Sequence, residues 1–546
     1  MERKGRKGRK EEQYCVSSSG QRLARSASVT ATATLTSRIL GLAREQVLAA
    51  LFGAGNDMDA FIVAFRLPNL VRDLFAEGAL SAAFVPAFTR HLTLHGKGRA
   101  WRLGHNVMTT LLLVTGAVVC LGLVFADSIV TTFARDFAAV PGKLPLTIEM
   151  TRVMLPFLTL TSIAAAEMGM LNSLRHYFVP ALAPATFNVC TIVCALLLVP
   201  YLPRFGQPPI MAIAIGALVG GVAQVVVQWP ALRREGLRYR PVFDPRDPGL
   251  RQVLLLMGPG TIGLAATQVM LFLNTLLATS QGTGAVSWLT YASRLIYLPI
   301  GLFGVSIGTA VLPAVSHHAA MEDAAGIRDT VSRGLAMMLF VNVPATAGLL
   351  AMATPIVRLL FEHGHFLAAD TAATAAAVRL YACGLLGYSA VRITSPTFYA
   401  LGSGRVPVVI AIGTIALNAV LSVGLVHMMG FLGLALSTSL ASIANGAGLL
   451  WFLRRRIGGL DGNTLTVALV KISLAAAAMA LTATMIERWS YGVMPGAALS
   501  FQAMRLVASI AGALVALAAV AKVLRIREFD EMLALAEVRV RKLLIR

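Results

Sequence analysis

Long apolar stretches separated by short polar connections run through the chain from residue 28 to residue 526. A helix that crosses a bilayer needs about 20 mostly apolar residues, and about fourteen stretches of that length can be counted. Little sequence remains between them for a folded domain outside the membrane. The pattern therefore predicts an all-α polytopic membrane protein with about fourteen transmembrane helices.

The two halves of this pattern repeat. The segment RHYFVPALAPATFN ends at Asn188 and RVPVVIAIGTIALN ends at Asn418, each with an Arg at the same distance before the Asn. The copies lie about 230 residues apart, the length of six spans with their loops, which predicts two parallel six-helix lobes. We expect one lobe at 28–240 and the other at 248–458. Two further spans, at 465–526, have no counterpart in the repeat.

Both ends of the chain are polar. Residues 1–27 are rich in Lys and Arg, which predicts a disordered basic tail. Residues 527–546 place apolar residues at helical spacing between charges, which predicts an amphipathic helix on the membrane surface. Loops rich in Lys and Arg alternate along the chain with loops that have few, and the positive-inside rule places the basic set in the cytoplasm. Both termini are then expected in the cytoplasm, and Lys143 is expected in an outer loop.

The net charge of +21 could suggest nucleic acid as a partner. The basic residues lie mainly at the ends of apolar stretches, however, and no compact basic domain with interleaved aromatic residues is present in the sequence. We therefore expect membrane lipids as partners and no nucleic acid.

Charged residues interrupt the apolar pattern at one place. The stretch RLPNLVRDLFAEG (66–78) combines basic and acidic residues, and the span before it carries Arg38 and Arg44. A charge at the centre of a bilayer costs about 2.5–3.5 kcal/mol. We therefore expect these side chains to line a wet interior, to pair with acids or to lie near the interface.

Spacing places several of these charges on one face of a helix. Asp59, Arg66 and Asp73 recur at equal intervals of two helical turns, and Glu77 follows one turn later, whereas Arg72 points elsewhere. The acids near Arg72 do not obviously neutralise it, and we expect the same of Arg38, Arg44 and Arg294. A guanidinium group binds the oxygens of a diphosphate bidentately and stays charged, so these arginines predict an anionic substrate.

Several segments resemble a known family. They are 37–88 (SRILGLAREQVLAALFGAGNDMDAFIVAFRLPNLVRDLFAEGALSAAFVPAF), 171–184 (LNSLRHYFVPALAP), 284–313 (GAVSWLTYASRLIYLPIGLFGVSIGTAVLP), 359–366 (LLFEHGHF) and 395–402 (SPTFYALG). They are similar to the MurJ/MviN lipid II flippases of the multidrug/oligosaccharidyl-lipid/polysaccharide exporter superfamily. The resemblance implies about fourteen spans in two lobes around a cationic cavity. It also implies that the last two spans, at 465–526, form a groove for the polyprenyl tail of the substrate.

The resemblance also assigns site residues. The cavity arginines of the family match Arg38, Arg44, Arg72 and Arg294, and its acids match Asp59 and Glu77. Two further arginines, Arg66 and Arg392, are candidates from their position in predicted spans.

The chain departs from the family in two places. Ser293 stands where members often have an acid, and the second lobe lacks the acids with which some members bind sodium. Asn418 and Thr438 could remain from such a site. We otherwise expect no metal and no cofactor.

The implied function is transport of lipid II from the inner to the outer leaflet of the bacterial cytoplasmic membrane by alternating access. Cell-wall synthesis machinery is a further candidate partner. Two alternatives keep the fold: an exporter of another polyprenyl-linked glycan, or an ion-coupled drug antiporter, which would be expected to have carboxylates in its cavity. An enzyme acting on the same lipid would need an acidic cluster for Mg²⁺, which the loops do not show. A scaffold that does not transport would tolerate paired charge swaps in the charged hairpin.

Overall fold

The computed structural model describes residues 32–73, 79–301, 305–496 and 498–544. Side chains are described over the same ranges except at 79, 259–267, 305–306, 309–310, 535–536 and 538–544. The basic tail predicted for 1–27 and the predicted site residue Glu77 lie outside the described residues.

Every regular element in these ranges is helical, which confirms the predicted all-α class. The first half contains α1 (32–52), α2 (Asn56–Arg72), α3 (Ala79–Val124), α4 (Ala126–Phe133), α5 (Lys143–Met154), α6 (Phe157–Ser173), α7 (Phe178–Leu198) and α8 (Met211–Arg234), with short 3₁₀ turns at Arg135–Ala139 and Leu202–Phe205. A connector leads to α9 (Pro248–Thr279).

The second half continues with α10 (Ala285–Pro299), α11 (Val305–Ala320), α12 (Ala324–Phe361), α13 (Ala368–Cys383), α14 (Leu385–Ala400), α15 (Arg405–Met429) and α16 (Phe431–Arg456). The chain ends with α17 (Gly462–Val493), α18 (Leu499–Val523) and α19 (Arg527–Leu544). The helix at α19 agrees with the amphipathic helix predicted for 527–546, and its placement on a membrane surface stays a prediction.

Ten helical stretches of the described residues are long and apolar enough to cross a membrane, judged by length and composition alone. The other predicted spans fall on helices that are shorter, such as α2 with 17 residues, or that carry more charge, such as α1. The predicted total of fourteen therefore stays a prediction. Gly96 interrupts α3 with a φ of 76° and a ψ of 176°, so this long helix consists of two helical segments.

The helices form two compact units. The first comprises the described residues up to Phe52 together with Asn56–Gln268, and the second comprises Gly53–Gly55 together with the described residues from Val269 onward. The boundary between these units falls inside α9, after Gln268, and the predicted lobe bounds of 28–240 and 248–458 stay a prediction. The connector before α9 is held on α3, because Asn106 donates to the Asp244 carbonyl at 2.8 Å and accepts from the Asp244 N–H at 2.9 Å.

In the first unit, α3 packs against α6, α6 against α8, α7 against α8, and α2 against α5. One hydrophobic core of this unit joins α3, α6 and α8 around Phe84, Phe88 and Met170. Outside this core, Glu235 accepts hydrogen bonds from His176 at 2.8 Å and Lys97 at 3.0 Å, which hold the pKa of the Glu235 carboxyl below its usual range. These bonds join the end of α8 to the connection between α6 and α7 and to the position after the Gly96 break in α3.

In the second unit, α12 contacts α11, α13, α14 and α17. The final transmembrane helices α17 and α18 pack on each other and on α12, with Met352, Met479 and Leu506 in their shared core. The groove for a lipid tail predicted for these helices stays a prediction.

Helices α14 and α16 approach closely through glycines. A Cβ added to Gly387 would lie 2.3 Å from the Ser442 carbonyl oxygen, and one added to Gly446 would lie 2.9 Å from the Gly387 carbonyl oxygen. Small residues that let two backbones meet are a common basis of helix packing in membranes, where the hydrophobic effect does not hold helices together.

We expect Gly387→Ala to lower the free energy of unfolding by about 1–3 kcal/mol, because the added methyl group would overlap rigid backbone of α16. Thermal unfolding of the purified protein in detergent measures the change. The matched control is Gly413→Ala on α15, where an added Cβ would meet no atom within 4 Å. Equal melting temperatures for the two variants would contradict this account of the α14–α16 contact.

Candidate functional site

Helix α1 carries two of the predicted arginines in different surroundings. Arg44 is mostly buried, with its side chain 14% exposed, and its Nη2 lies 2.6 Å from Oε1 of Glu45. The guanidinium carbon lies 5.5 Å from the centre of the Phe187 ring on α7, a cation–π contact. Its Nε is buried and has no hydrogen-bond partner among the described residues. Arg44 therefore has a partner on one nitrogen and a free donor on another.

Arg38 lies nearly two turns earlier on α1 and is exposed in the first unit. Neither a hydrogen bond nor an ion pair joins its side chain to another described residue. Helix α7 fixes this part of α1, because Asn188 Nδ2 donates to the Ser37 carbonyl at 3.2 Å. Asn188 is the residue at which the first copy of the sequence repeat ends, so the repeat indicated a packing residue beside the site.

At the end of α2, Arg72 binds the residue next to it. Its Nη2 and Nε donate to Oδ1 of Asp73 at 2.9 Å and 3.2 Å. The other oxygen of Asp73 accepts from Gln268 Nε2 at 3.2 Å. Neighbouring residues of a regular helix point apart, but α2 ends at Arg72 and Asp73 adopts a wider π-type turn.

The expectation that nearby acids leave Arg44 and Arg72 without neutralising partners is therefore wrong, since Glu45 and Asp73 each bind one of them. Arg66 is half-buried on the same helix and is also engaged with a neighbour. Arg44 and Arg72 are thus each paired with a carboxylate, whereas Arg38 has no such partner among the described residues.

Asp59, which the sequence places on one face of α2 with Arg66 and Asp73, forms an ion pair with a residue of another helix. Its Oδ2 lies 2.9 Å from Nζ of Lys143, and the two side chains are 0% and 2% exposed. The ammonium group also lies 4.1 Å from the centre of the Phe137 ring. Lys143 was predicted in an outer loop, which is wrong for its side chain, because α5 begins at this residue and turns it into the protein. A single Lys beside a predicted loop gives no signal of such a pair.

In the second unit, the predicted arginines Arg294 on α10 and Arg392 on α14 are both exposed. Arg294 interacts with a neighbour, whereas Ser293 beside it donates to the Thr290 carbonyl at 2.8 Å within its own helix. Gly308 on α11 faces the Arg392 carbonyl oxygen, which an added Cβ would approach to 3.1 Å.

Of the two residues predicted as remnants of a sodium site, Thr438 lies in a neutral hydrogen-bonded cluster of α9, α15 and α16, and Asn418 is buried on α15. Thr438 accepts from Asn274 Nδ2 at 3.1 Å, and Ser422 bonds to Asn274 Oδ1 at 3.2 Å and to the Ser437 hydroxyl at 2.7 Å. Asn418 is 1% exposed, and its Nδ2 has no partner among the described residues. No group of three His, Cys, Asp or Glu side chains in the described part of the chain could hold a metal.

Comparison with known proteins gives a decisive match. The family model described as "Lipid II flippase MurJ" matches residues 48–501. A curated relative, "Lipid II flippase MurJ" from Burkholderia cenocepacia, is 35% identical over 427 residues, which cover 78% of this chain and 82% of that protein. The chain belongs to the lipid II flippase MurJ family. The family model includes Asp59, Arg72 and Arg294 and begins after Arg38 and Arg44.

Other MurJ relatives extend the match. A probable lipid II flippase MurJ from Rhizobium meliloti is 34% identical over 505 residues, covering 90% of this chain and 91% of that protein. The solved structure "Lipid II flippase MurJ, inward closed conformation" has a TM-score of 0.74 at 25% identity and covers 91% of this chain and 99% of that one. An inward-facing multidrug resistance MATE family transporter shares the fold, with a TM-score of 0.66 at 18% identity over 79% of this chain and 98% of that one.

We expect Asp59→Asn to destabilise the first unit by about 3–5 kcal/mol, because it leaves the buried Lys143 ammonium without its counter-charge. The double variant Asp59→Asn with Lys143→Met should regain most of that loss, since it removes both charges. Thermal unfolding in detergent measures both effects.

Asp127→Asn serves as the control, because Asp127 and Arg152 form a pair in the same unit with side chains 60% and 47% exposed. It should change the unfolding free energy by less than about 1 kcal/mol. A double variant that is no more stable than Asp59→Asn would show that the buried pair is not what joins α2 to α5.

Proposed function

We propose that this chain moves lipid II, the lipid-linked disaccharide-pentapeptide precursor of peptidoglycan, from the inner to the outer leaflet of the bacterial cytoplasmic membrane. The family match and relatives named as lipid II flippases support this substrate. The single structural observation that carries the proposal is the buried Nε of Arg44, a guanidinium donor without a partner among the described residues. A phosphate oxygen of the diphosphate is a ligand that would satisfy it.

Four arginines of the first unit supply positive charge for the diphosphate: Arg38, Arg44, Arg66 and Arg72. An isolated charge is costly in the hydrocarbon core of a membrane. Glu45 therefore stabilises Arg44, and Asp73 stabilises Arg72, before the substrate binds. A guanidinium group has five N–H donors, which exceed what one carboxylate uses. The diphosphate therefore binds by adding to, or replacing, the carboxylate partners.

Asp59 contributes to the site by holding α2 in place. Its pair with Lys143 fixes the start of α2 against α5, and α2 carries Arg66 and Arg72. On the second unit, Arg294 and Arg392 are proposed as substrate-contacting residues because both side chains are exposed cations on predicted spans. Glu77, outside the described residues, stays a candidate from the family resemblance alone.

The arrangement in the membrane is part of the proposal. We infer about fourteen spans in two six-helix lobes, with α17 and α18 holding the polyprenyl tail and both termini in the cytoplasm. The internal repeat and the similarity to a MurJ structure over 91% of the chain support this arrangement. Alternating access by the lobes then carries the head group across while the tail stays in lipid. Cell-wall synthesis enzymes that use the flipped lipid are the partners that this function implies.

Transport by the purified protein in liposomes, followed by the accessibility of lipid II in the opposite leaflet, tests the assignment of Arg44. We expect Arg44→Ala to reduce the rate by about 10- to 100-fold, since a charge-assisted hydrogen bond contributes about 1.5–3 kcal/mol. Arg44→Lys should recover part of the rate, because it restores the charge without the planar fork.

The matched control is Arg152→Ala, which removes an exposed arginine of the same unit. It should leave the rate unchanged. Wild-type transport by a folded Arg44→Ala protein would overturn the assignment. Inhibition by a different polyprenyl-linked glycan or by a cationic drug, but not by excess lipid II, would favour the corresponding alternative substrate.

Sodium should not be required for transport. The hydrogen-bonded cluster of Asn274, Ser422, Ser437 and Thr438 contains no carboxylate, so no negative charge in it offsets the cost of removing Na⁺ from water. Replacing sodium by choline on both sides of the liposomes should therefore leave the rate unchanged. A rate that saturates with sodium concentration would show that these neutral residues form a working cation site.

A further inference from the structure

Glu167 is a carboxyl group that the proposed transport mechanism does not use. It lies on α6 within the apolar stretch Lys143–Ser173, and its side chain is 0% exposed. Neither Oε1 nor Oε2 has a hydrogen-bond partner among the described residues. Asp59, an acid of the same unit that is also 0% exposed, has the Lys143 ammonium beside it, whereas no described cation pairs with Glu167.

Helices α3 and α8 pack against α6 around this position. One turn before Glu167, the Ala164 carbonyl accepts from Gln228 Nε2 of α8 at 3.1 Å. One turn after it, Met170 faces α3, where a Cβ added to Gly104 would lie 2.8 Å from the Met170 sulfur. Positions three and four residues apart share one face of a helix, so Glu167 lies in the packed wall that α6 forms with α3 and α8.

Gln228 offers a chemical match for this carboxyl group. It is 1% exposed, and its Oε1 is buried without a partner among the described residues. An ionised Glu167 has only acceptors, as Gln228 Oε1 does, whereas a protonated Glu167 has one O–H to donate. Both oxygens of Glu167 and Oε1 of Gln228 are thus buried acceptors without a donor among the described residues, and a protonated Glu167 would bring one O–H donor to this region.

No cation among the described side chains pairs with Glu167. None of the titratable side chains described on the helices packed against α6 hydrogen-bonds or forms an ion pair with it. On α2, α3, α7 and α8 these are Asp57, Asp59, Arg66, Arg72, Arg90, His91, His95, Lys97, Arg99, Arg102, His105, Cys120, Cys190, Cys194, Arg233 and Arg234.

We propose that Glu167 is a proton-binding site, protonated in this conformation and ionised in another conformation of the transport cycle. An unpaired carboxylate in such a site costs far more than a neutral acid, so the group holds its proton while α3, α6 and α8 are packed together. A movement of these helices that admits water removes that cost and releases the proton. The chain would then couple its conformational change to proton binding.

The sign of the pH effect follows from this assignment. Protonation favours the conformation described here, so low pH populates it, and raising the pH shifts the protein toward the conformation in which Glu167 is ionised. An equilibrium that binds one proton changes by about tenfold per pH unit. Glu167→Gln keeps the size and a hydrogen-bond donor but cannot ionise, so it should remove this dependence.

Infrared difference spectroscopy of the protein in lipid tests the protonation state without relying on transport. We expect the C=O band of a protonated carboxyl to persist at neutral pH in the wild type and to be absent from Glu167→Gln. The control is Glu149→Gln, which removes an exposed acid of the same apolar stretch and should leave the band in place. Absence of the band from the wild type at neutral pH would overturn the proposal without affecting the flippase assignment.

The second measurement is the rate of lipid II transport in liposomes as a function of pH. This measurement rests on the proposed function. The wild-type and Glu149→Gln profiles should coincide, and Glu167→Gln should lose the pH-dependent part. If the infrared band is present but Glu167→Gln keeps the wild-type profile, the carboxyl is a static neutral group and the coupling is excluded. If Glu167→Gln is not stable enough to purify, Glu167→Met and the pH titration of the wild-type band decide the same question.

Discussion

Charged groups are costly in a hydrocarbon environment, and several buried or partly buried charges of the described helices have a specific partner of opposite charge. Lys143 and Asp59 neutralise each other where neither can reach water. Glu45 and Asp73 bind Arg44 and Arg72, which have side chains 14% and 21% exposed. The same rule makes Glu167 conspicuous, because its carboxyl is buried without any such partner among the described residues.

These ion pairs differ in whether they leave hydrogen-bond donors for a ligand. The Lys143–Asp59 pair is almost completely enclosed, so it joins helices and is closed to a ligand. Arg44 is bound on one nitrogen and keeps a free donor on another, and Arg72 is held by an acid that Gln268 also binds. Partial neutralisation of this kind lowers the cost of keeping cations in a membrane protein and still lets an anionic head group compete for them.

In the second unit, uncharged side chains join one group of helices. Asn274, Ser422, Ser437 and Thr438 form a network of side-chain hydrogen bonds between α9, α15 and α16. Neutral hydrogen bonds join helices in lipid at modest strength and carry no desolvation cost of charge. Close backbone contacts through Gly387 and Gly446 add van der Waals packing between α14 and α16.

The sequence by itself determined the helical class, the membrane environment and the family, because hydropathy over about 20 residues and a specific charged hairpin are local properties of the chain. It also indicated the arginines of α1 and α2 and the helix at the carboxyl end. Only the tertiary structure decided which acid each cation binds. Lys143 and Asp59 are 84 positions apart in the sequence, and Gln268 and Asp73 are 195 apart. Periodicity places residues on a face of their own helix but cannot state which distant helix packs against that face, so these partners and the isolation of Glu167 became visible only when the helices were packed.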